Sequence, residues 1–364
     1  MTGDARLVRR QERFQRVGRR LETLSEAEVV DLLGQGVVLG SGIGGTRSLV
    51  TVDGDPVFAK RVPLSELEML PENVGSTANL FHLPLGCQYG VGSPSFGVWR
   101  EVAANTMVTS WINSGSARSF PILFHWRILP GPAFDGPLPY ELGDIEALVA
   151  HWHDSPAVRH RANAIAESTA AVVMFFEYLP KLLPESLAEQ NDAGQLTDSA
   201  IESTCRELLG AAAFMNSAGL WHFDTHFANV LADDHGVYLT DFGLASSPQF
   251  DLSPTEAQFL QSNRTHDLAY VATGLVNWIV TNIGGLADRE QRDEVIRDIA
   301  NGKPADRLVP GPGSAVVAQF APVASHINQF YEQLHGQDRR TTYPTAAVEP
   351  AWQLLQATGR HPTR

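Results

Sequence analysis

Between Asp267 and Asp288 runs LAYVATGLVNWIVTNIGGLA, twenty residues with no charged side chain. Such a run must be kept from water, and as a helix it is just long enough to cross a bilayer. Two asparagines, two threonines and three glycines lie within it, and an aspartate flanks each end. That composition favours a helix buried on all sides inside a globular lobe over a membrane span. A chain of 364 residues, 43% hydrophobic and 19% charged, has enough apolar material to wrap such an axis and to build a second lobe.

The pattern upstream is different. Ser25 and Glu28 form a capping-box signature for a helix EAEVVDLL that ends at Gly34. GVVLGSGIGGTRSLVTVDGDPVFAKRV then reads as strand, glycine-rich turn, strand, Asp-Gly turn and strand, a β-meander. Residues 63–97 are rich in Gly, Pro, Ser and Asn and read as an inserted loop suited to substrate or partner recognition. Leu80, Phe81, Leu83, Leu85 and Tyr89 make it too apolar to be fully solvated, so it either docks another molecule or folds back on its own lobe. A helix from Val98 to Trp111, a strand FPILFHWRIL and a buried strand VVMFFEYL follow, and the chain is mainly helical beyond Glu185. The organisation expected is a helical extension over 1–36, a strand-rich lobe over 37–180 carrying the 63–97 insertion, and a helical lobe over 181–364, with the boundary near Glu177 to Leu183.

A net charge of −14 argues against a nucleic-acid binder. Two distant cysteines, Cys87 and Cys205, and no apolar leader after the N-terminal charges point to a reducing cytoplasm. Seven arginines crowd the first twenty residues around an apolar stripe of Leu7, Phe14, Val17, Leu21 and Leu24. A surface helix packed on the fold is favoured, with a docking arm for an acidic partner or membrane surface as the alternative.

The stretch WHFDTHFANV at 221–230 sets two histidines, Asp224 and Asn229 among aromatic and aliphatic residues. His222 and His226 are spaced like zinc ligands on a helix, but Phe223 stands where zinc proteases need glutamate, and no third ligand is evident. His222 reads better as a structural residue bonded to backbone. NVLADDHGVYLTDFG reads as two short strands around a turn, which would return Asp241 to the side of Asn229 and leave Asp224 as a spare carboxylate. Two oxygen ligands and a free carboxylate are what Mg²⁺-assisted phosphoryl transfer requires.

HFDTHFAN resembles the catalytic loop H-x-D-x-x-x-x-N of the protein-kinase-like superfamily, which includes bacterial protein-kinase-like and aminoglycoside-phosphotransferase-like members, and DFG resembles its metal-binding motif. GSGIGG has the G-x-G-x-x-G register, which a dinucleotide fold would follow with a helix, whereas SLVTV continues as strand. The resemblance spans about residues 37–290 and implies an α+β, bilobal protein-kinase-like fold, with a small antiparallel β-rich N-lobe and a larger, mainly helical C-lobe. It implies ATP and Mg²⁺ as cofactors. Gly40, Ser41, Gly42 and Gly45 would lie over the phosphates, held by Lys60 in VFAKRV, with Glu101 as its ion-pair partner. Phe176 would back the nucleotide pocket, and backbone groups of Glu177 and Leu179 would bond adenine. Asn229 and Asp241 would bind the metal, Asp224 would orient the acceptor hydroxyl, and His226 would stand near the transferring phosphoryl. Asp267 would accept backbone hydrogen bonds from the catalytic loop.

The sequence departs from regulated protein kinases in three places. Phe223 replaces the arginine that pairs with an activation-loop phosphate, His226 replaces a lysine, and SPTE at 253–256 only faintly echoes Ala-Pro-Glu. The expected activity is transfer of the ATP γ-phosphoryl group to a hydroxyl, with Ser/Thr of a protein or peptide as favoured acceptor. One alternative is a small-molecule kinase acting on an antibiotic or sugar-type acceptor. Another is a nucleotide-binding partner or peptide-modifying subunit with little turnover.

Overall fold

The computed structural model describes residues 2–90, 92–134, 136 and 138–357. They form an α+β fold with a five-stranded antiparallel sheet, a three-stranded sheet and a majority of helix. By contact the chain forms two compact units, Met1–Leu179 with Asp241–Ala257, and Pro180–Thr240 with Gln258–Arg364.

In the first unit the meander is present. β1 (Val37–Gly42) and β2 (Gly45–Val52) meet at the glycine turn, and Asp53-Gly54 returns the chain into β3 (Asp55–Leu64). Gly45 has φ +108°, and a Cβ there would lie 2.1 Å from the Arg61 carbonyl oxygen, so only glycine lets β2 enter beside β3. β4 (Leu123–Pro130) and β5 (Ala170–Glu177) complete a sheet of order β1-β2-β3-β5-β4, with β5 buried along its whole length. The register pairs Phe58 with Phe176, Lys60 with Met174 and Val62 with Val172. Alternation puts these side chains on one face, which packs against Val98, Trp99 and Val102 of the helix Val98–Asn113. Lys60 therefore faces the helix that carries Glu101.

The N-terminal helix α1 (Thr2–Thr23) packs on this unit. Leu7, Val17 and Leu21 are buried, as is Leu24 just beyond, and Phe14 is half-buried. The helix lies close on β4 at Gly18, where a Cβ would be 3.0 Å from the Phe124 carbonyl oxygen. Arg13 and Arg16 pair with Asp55, and Arg20 with Asp53. The following helix α2 (Glu26–Gly34) has the expected Ser25–Glu28 capping box.

The inserted segment is built into the core. Pro63 and Leu64 still belong to β3, and Ser65 and Glu68 cap a short helix, Glu66–Met69. Phe81, Leu83, Cys87 and Phe96 are buried against Leu148, Val149, Trp152, Val158 and Ile165. These partners sit on helices Ile145–His151 and Pro156–Ala166 or in the turn between them, elements that the sequence reading did not separate from the turns after β4. Each segment covers apolar surface that the other cannot hide alone. Arg161 ties them together, donating to Glu68 at 2.7 Å with both side chains at most 2% exposed. Burial is the largest influence on the Glu68 carboxyl and acts to raise its pKa, but Arg161 and Ser65 outweigh it, and the net shift is downward.

In the second unit, β6 (Lys181–Leu182), β7 (Val230–Asp233) and β8 (Gly236–Leu239) form the small sheet, β7 and β8 around the expected turn. The uncharged run forms the helix His266–Asn282, packed on helices Asp198–Ser217 and Ser314–Gly336, and it gives way to a turn at Ile283 to Gly285. Among the described residues no helix is long and apolar enough to cross a membrane.

Phe81→Ala tests the core role of the insertion. Removing a ring that is 2% exposed should cost about 3–5 kcal/mol in chemical denaturation. A loss below about 1 kcal/mol would mean that the segment is not core.

Candidate active site

The first unit gathers one cluster of the expected residues. Lys60 Nζ donates to Glu101 Oε1 at 2.6 Å and to Asp241 Oδ1 at 2.7 Å. The Lys60 and Glu101 side chains are 7% and 4% exposed, whereas that of Asp241 is 41% exposed and forms the open side of the cluster. Burial is the largest influence on Lys60 and acts to lower its pKa, but the carboxylates of Asp241 and Glu101 outweigh it and the net shift is upward. Lys60 therefore remains an ammonium ion. Burial, helped by the Asp241 charge, raises the pKa of Glu101 despite the pull of Lys60. Two carboxylates thus share one ammonium, an excess of negative charge that a cation at Asp241 would relieve.

The glycine turn lies over this cluster, through a residue the sequence reading passed over. A Cβ on Gly44 would lie 3.8 Å from Lys60 Nζ, while one on Gly42 would meet open space. Gly44 was visible as the fifth residue of GSGIGG, but the G-x-G-x-x-G register does not single it out. Ser41 Oγ is 3.2 Å from Thr46 Oγ1 across the hairpin, and a Cβ on Gly40 would approach the Arg47 guanidinium at 3.1 Å. Phe176 is buried in the face shared with Val172 and Met174 and stands 6.2 Å from the Phe58 ring. Leu179 is buried.

Glu177 holds a second unforeseen contact. Arg10 of α1 donates to both of its carboxylate oxygens, at 3.0 Å to Oε1 and 2.6 Å to Oε2, and to the carbonyls of Arg118 and Phe120. The Glu177 N–H donates to the Ile122 carbonyl at 2.8 Å, so that donor is already used within the fold. Arg10 is separated from Glu177 by 167 positions in an arginine-rich stretch, and nothing in its spacing distinguishes it from its neighbours.

The second unit gathers the other cluster. The Asn229 amide donates to the carbonyl of Asp224 at 2.9 Å and to its carboxylate at 3.1 Å, which turns the amide oxygen toward other ligands. His226 Nε2 lies 3.6 Å from Asp224 Oδ1. His222 uses both ring nitrogens, Nε2 on the Thr240 carbonyl at 2.9 Å and Nδ1 accepting from the Asp224 N–H at 3.3 Å. It is a structural residue of the loop, as expected. The hairpin returns the chain to Thr240, whose N–H donates to the Asn229 carbonyl one residue before Asp241. Phe223 is fully buried, and Phe227 is half-buried against Gly274, where a Cβ would come within 2.7 Å of its ring.

Asp267 anchors this loop. It accepts from the His222 N–H, the Phe223 N–H and the Asn216 amide, each at 2.8 Å. These bonds hold Phe223 at φ +63°, a conformation that costs a non-glycine residue on the order of 1–3 kcal/mol. Burial is the strongest influence on the Asp267 carboxyl and would raise its pKa. His266, His222 and the backbone bond outweigh it, so the net shift is downward.

Chemically, Asn229 and Asp241 each offer a hard oxygen of the kind that Mg²⁺ accepts alongside phosphate oxygens and water. Among the described residues no three His, Cys, Asp or Glu side chains converge as a metal cage. The chain matches no protein-family model and no curated protein.

Asp267→Ala would remove the acceptor of two loop N–H groups, while the Asn216 amide keeps its bond to the Leu220 carbonyl, so stability should fall by about 1–3 kcal/mol for each N–H that water cannot reach. Because the folded pKa of Asp267 is lowered, its contribution is complete above the unfolded carboxylate pKa and is lost as pH falls through the folded value. Being the less stable protein above the folded pKa, Asp267→Ala should begin to unfold in acid at higher pH than the wild type, monitored by circular dichroism. With Asp267 dominant, the difference in stability between the two proteins should shrink as pH falls.

Proposed function

We propose that the chain is an ATP- and Mg²⁺-dependent phosphotransferase of protein-kinase-like, bilobal fold, working in the cytoplasm and moving the γ-phosphoryl group to a hydroxyl. The observation that carries this reading is the contact of Lys60 with both Glu101 and Asp241, 41 and 181 positions away. The resemblance in sequence pairs Lys60 with Glu101 and names Asp241 as a metal ligand of the same site, and the three residues meet.

In this reading both clusters serve one reaction. Lys60 and the turn at Gly44 hold phosphate oxygens, and Asn229 and Asp241 hold Mg²⁺. When bound, Mg²⁺ neutralises charge on the phosphates. Asp224 accepts a hydrogen bond from the acceptor hydroxyl and takes its proton as the oxygen bonds to the γ-phosphorus, while the bond from that phosphorus to the β–γ bridging oxygen breaks and ADP leaves. The imidazole of His226, beside Asp224, donates to the transferring group. A Ser/Thr hydroxyl of a protein or peptide is the favoured acceptor.

A small-molecule acceptor is the second reading. It is favoured by His226 and by SPTE, where Ser253 and Glu256 cap their own helix through bonds of 2.9 Å and 2.8 Å, and Glu256 pairs with Arg100.

Two variants test the assignment. Asp224→Asn should lower turnover about 100- to 10,000-fold while leaving Mg·ATP affinity unchanged, because its carboxylate serves the acceptor. Near-wild-type turnover would remove Asp224 from the mechanism. Asp241→Ala should instead weaken nucleotide binding in the presence of Mg²⁺, read as a smaller thermal shift with Mg·ATP. Unaltered affinity would count against its role as metal ligand.

A further inference from the structure

The stretch after Asp241 is irregular until the helix Pro254–Ser262 begins. Backbone groups in such a stretch need partners outside regular structure, and here side chains from 77–100 supply them. Ser95 Oγ donates to the Gly243 carbonyl at 3.0 Å, and the Gln88 amide donates to the Leu244 carbonyl. Thr77 Oγ1 donates to Asp251 Oδ2 at 3.1 Å and accepts from the Asp251 N–H at 2.8 Å. Arg100 donates to the Thr77 carbonyl at 2.7 Å and to Glu256 at 2.6 Å. Gln88 and Arg100 are 4% and 2% exposed, so these bonds form away from competing water.

The first of these bonds fall next to the lysine cluster. A Cβ on Gly243 would lie 3.4 Å from Asp241 Oδ1 and 3.5 Å from Glu101 Oε2, so this backbone packs directly on the two carboxylates. Asp241 itself has φ +65°, a left-handed conformation that aspartate adopts more readily than most residues.

We infer that Thr77, Gln88 and Ser95 are positioning residues for Asp241. They hold the backbone that follows it so that its carboxylate stays on Lys60 with no phosphate group on the stretch. The inference rests on the phosphotransferase reading, in which Asp241 binds the metal.

The test uses the full chain with Thr77→Val, Gln88→Leu, their combination, and Thr77→Ser, which keeps the hydroxyl. Three quantities are read: the Mg²⁺ concentration giving half-maximal binding of a fluorescent ATP analogue, amide exchange over 242–252, and Tm. The combined variant should need roughly 10- to 100-fold more Mg²⁺, the range seen when groups supporting a metal ligand are removed. Exchange should rise across 242–252, while Thr77→Ser should behave as the wild type. A lower Tm with unaltered Mg²⁺ dependence and exchange would show a merely structural role and overturn the proposal. Failure of the wild-type chain to bind the analogue with Mg²⁺ would overturn the phosphotransferase reading and this inference with it. Normal wild-type binding with an identical response in the variants would overturn the inference alone.

Discussion

An ammonium group on a side chain 7% exposed stays charged only if carboxylates replace the water it has lost, and Lys60 has two. Taking an ion from water costs several kcal/mol, so the buried Lys60 and Glu101 are tolerable only as a pair, with the more open Asp241 adding a second carboxylate to the ammonium. Their meeting sets conditions on much of the first unit. β3 must present Lys60 on the face toward the helix Val98–Asn113, that helix must lie close enough for Glu101, and the chain must come back at 241.

The same device recurs. Arg10 with Glu177, Arg161 with Glu68 and Arg100 with Glu256 are further ion pairs of low exposure in this unit, each joining segments remote in sequence. Buried pairs add little net stability over apolar packing, but a wrong register would leave a charge buried without a partner. In an assembly of a meander, the 63–97 insertion, the helices of 145–166 and an N-terminal helix, that penalty discriminates among alternative packings that apolar contacts alone would leave close in energy.

Legibility in the sequence followed the range of the interactions. The meander, the capping box at Ser25, the 230–239 hairpin and the buried helix after Asp267 are written in local alternation, turn residues and caps. Lys60, Asp224, Asn229 and Asp241 stand out through motif spacing and Glu101 as the glutamate of the helix that follows, and the structure joins them in two groups. The fate of 63–97 was not legible, because its apolar residues are matched by those of 145–166 across a long separation, and either segment alone looks like a loop with stray hydrophobic residues. Arg10 was hidden for a similar reason. One arginine among seven becomes special only when Glu177 arrives beside it. Gly44 escaped because the motif register draws attention to other glycines, whereas its proximity to Lys60 depends on how the turn folds.

The first unit is discontinuous, and this bears on how the chain is made. Residues 180–240 are synthesised before the stretch 241–257 that the first unit requires. When Leu179 has been added, Arg100 still lacks Glu256, Thr77 lacks Asp251 and Lys60 lacks Asp241, so the nascent unit holds cations in its interior with part of their counter-charge missing. Its closing contacts span up to 181 positions, and loops of that length are slow to close. A unit whose larger part leaves the ribosome ahead of 180–240 is therefore finished only after that segment, which belongs to the other unit, has emerged.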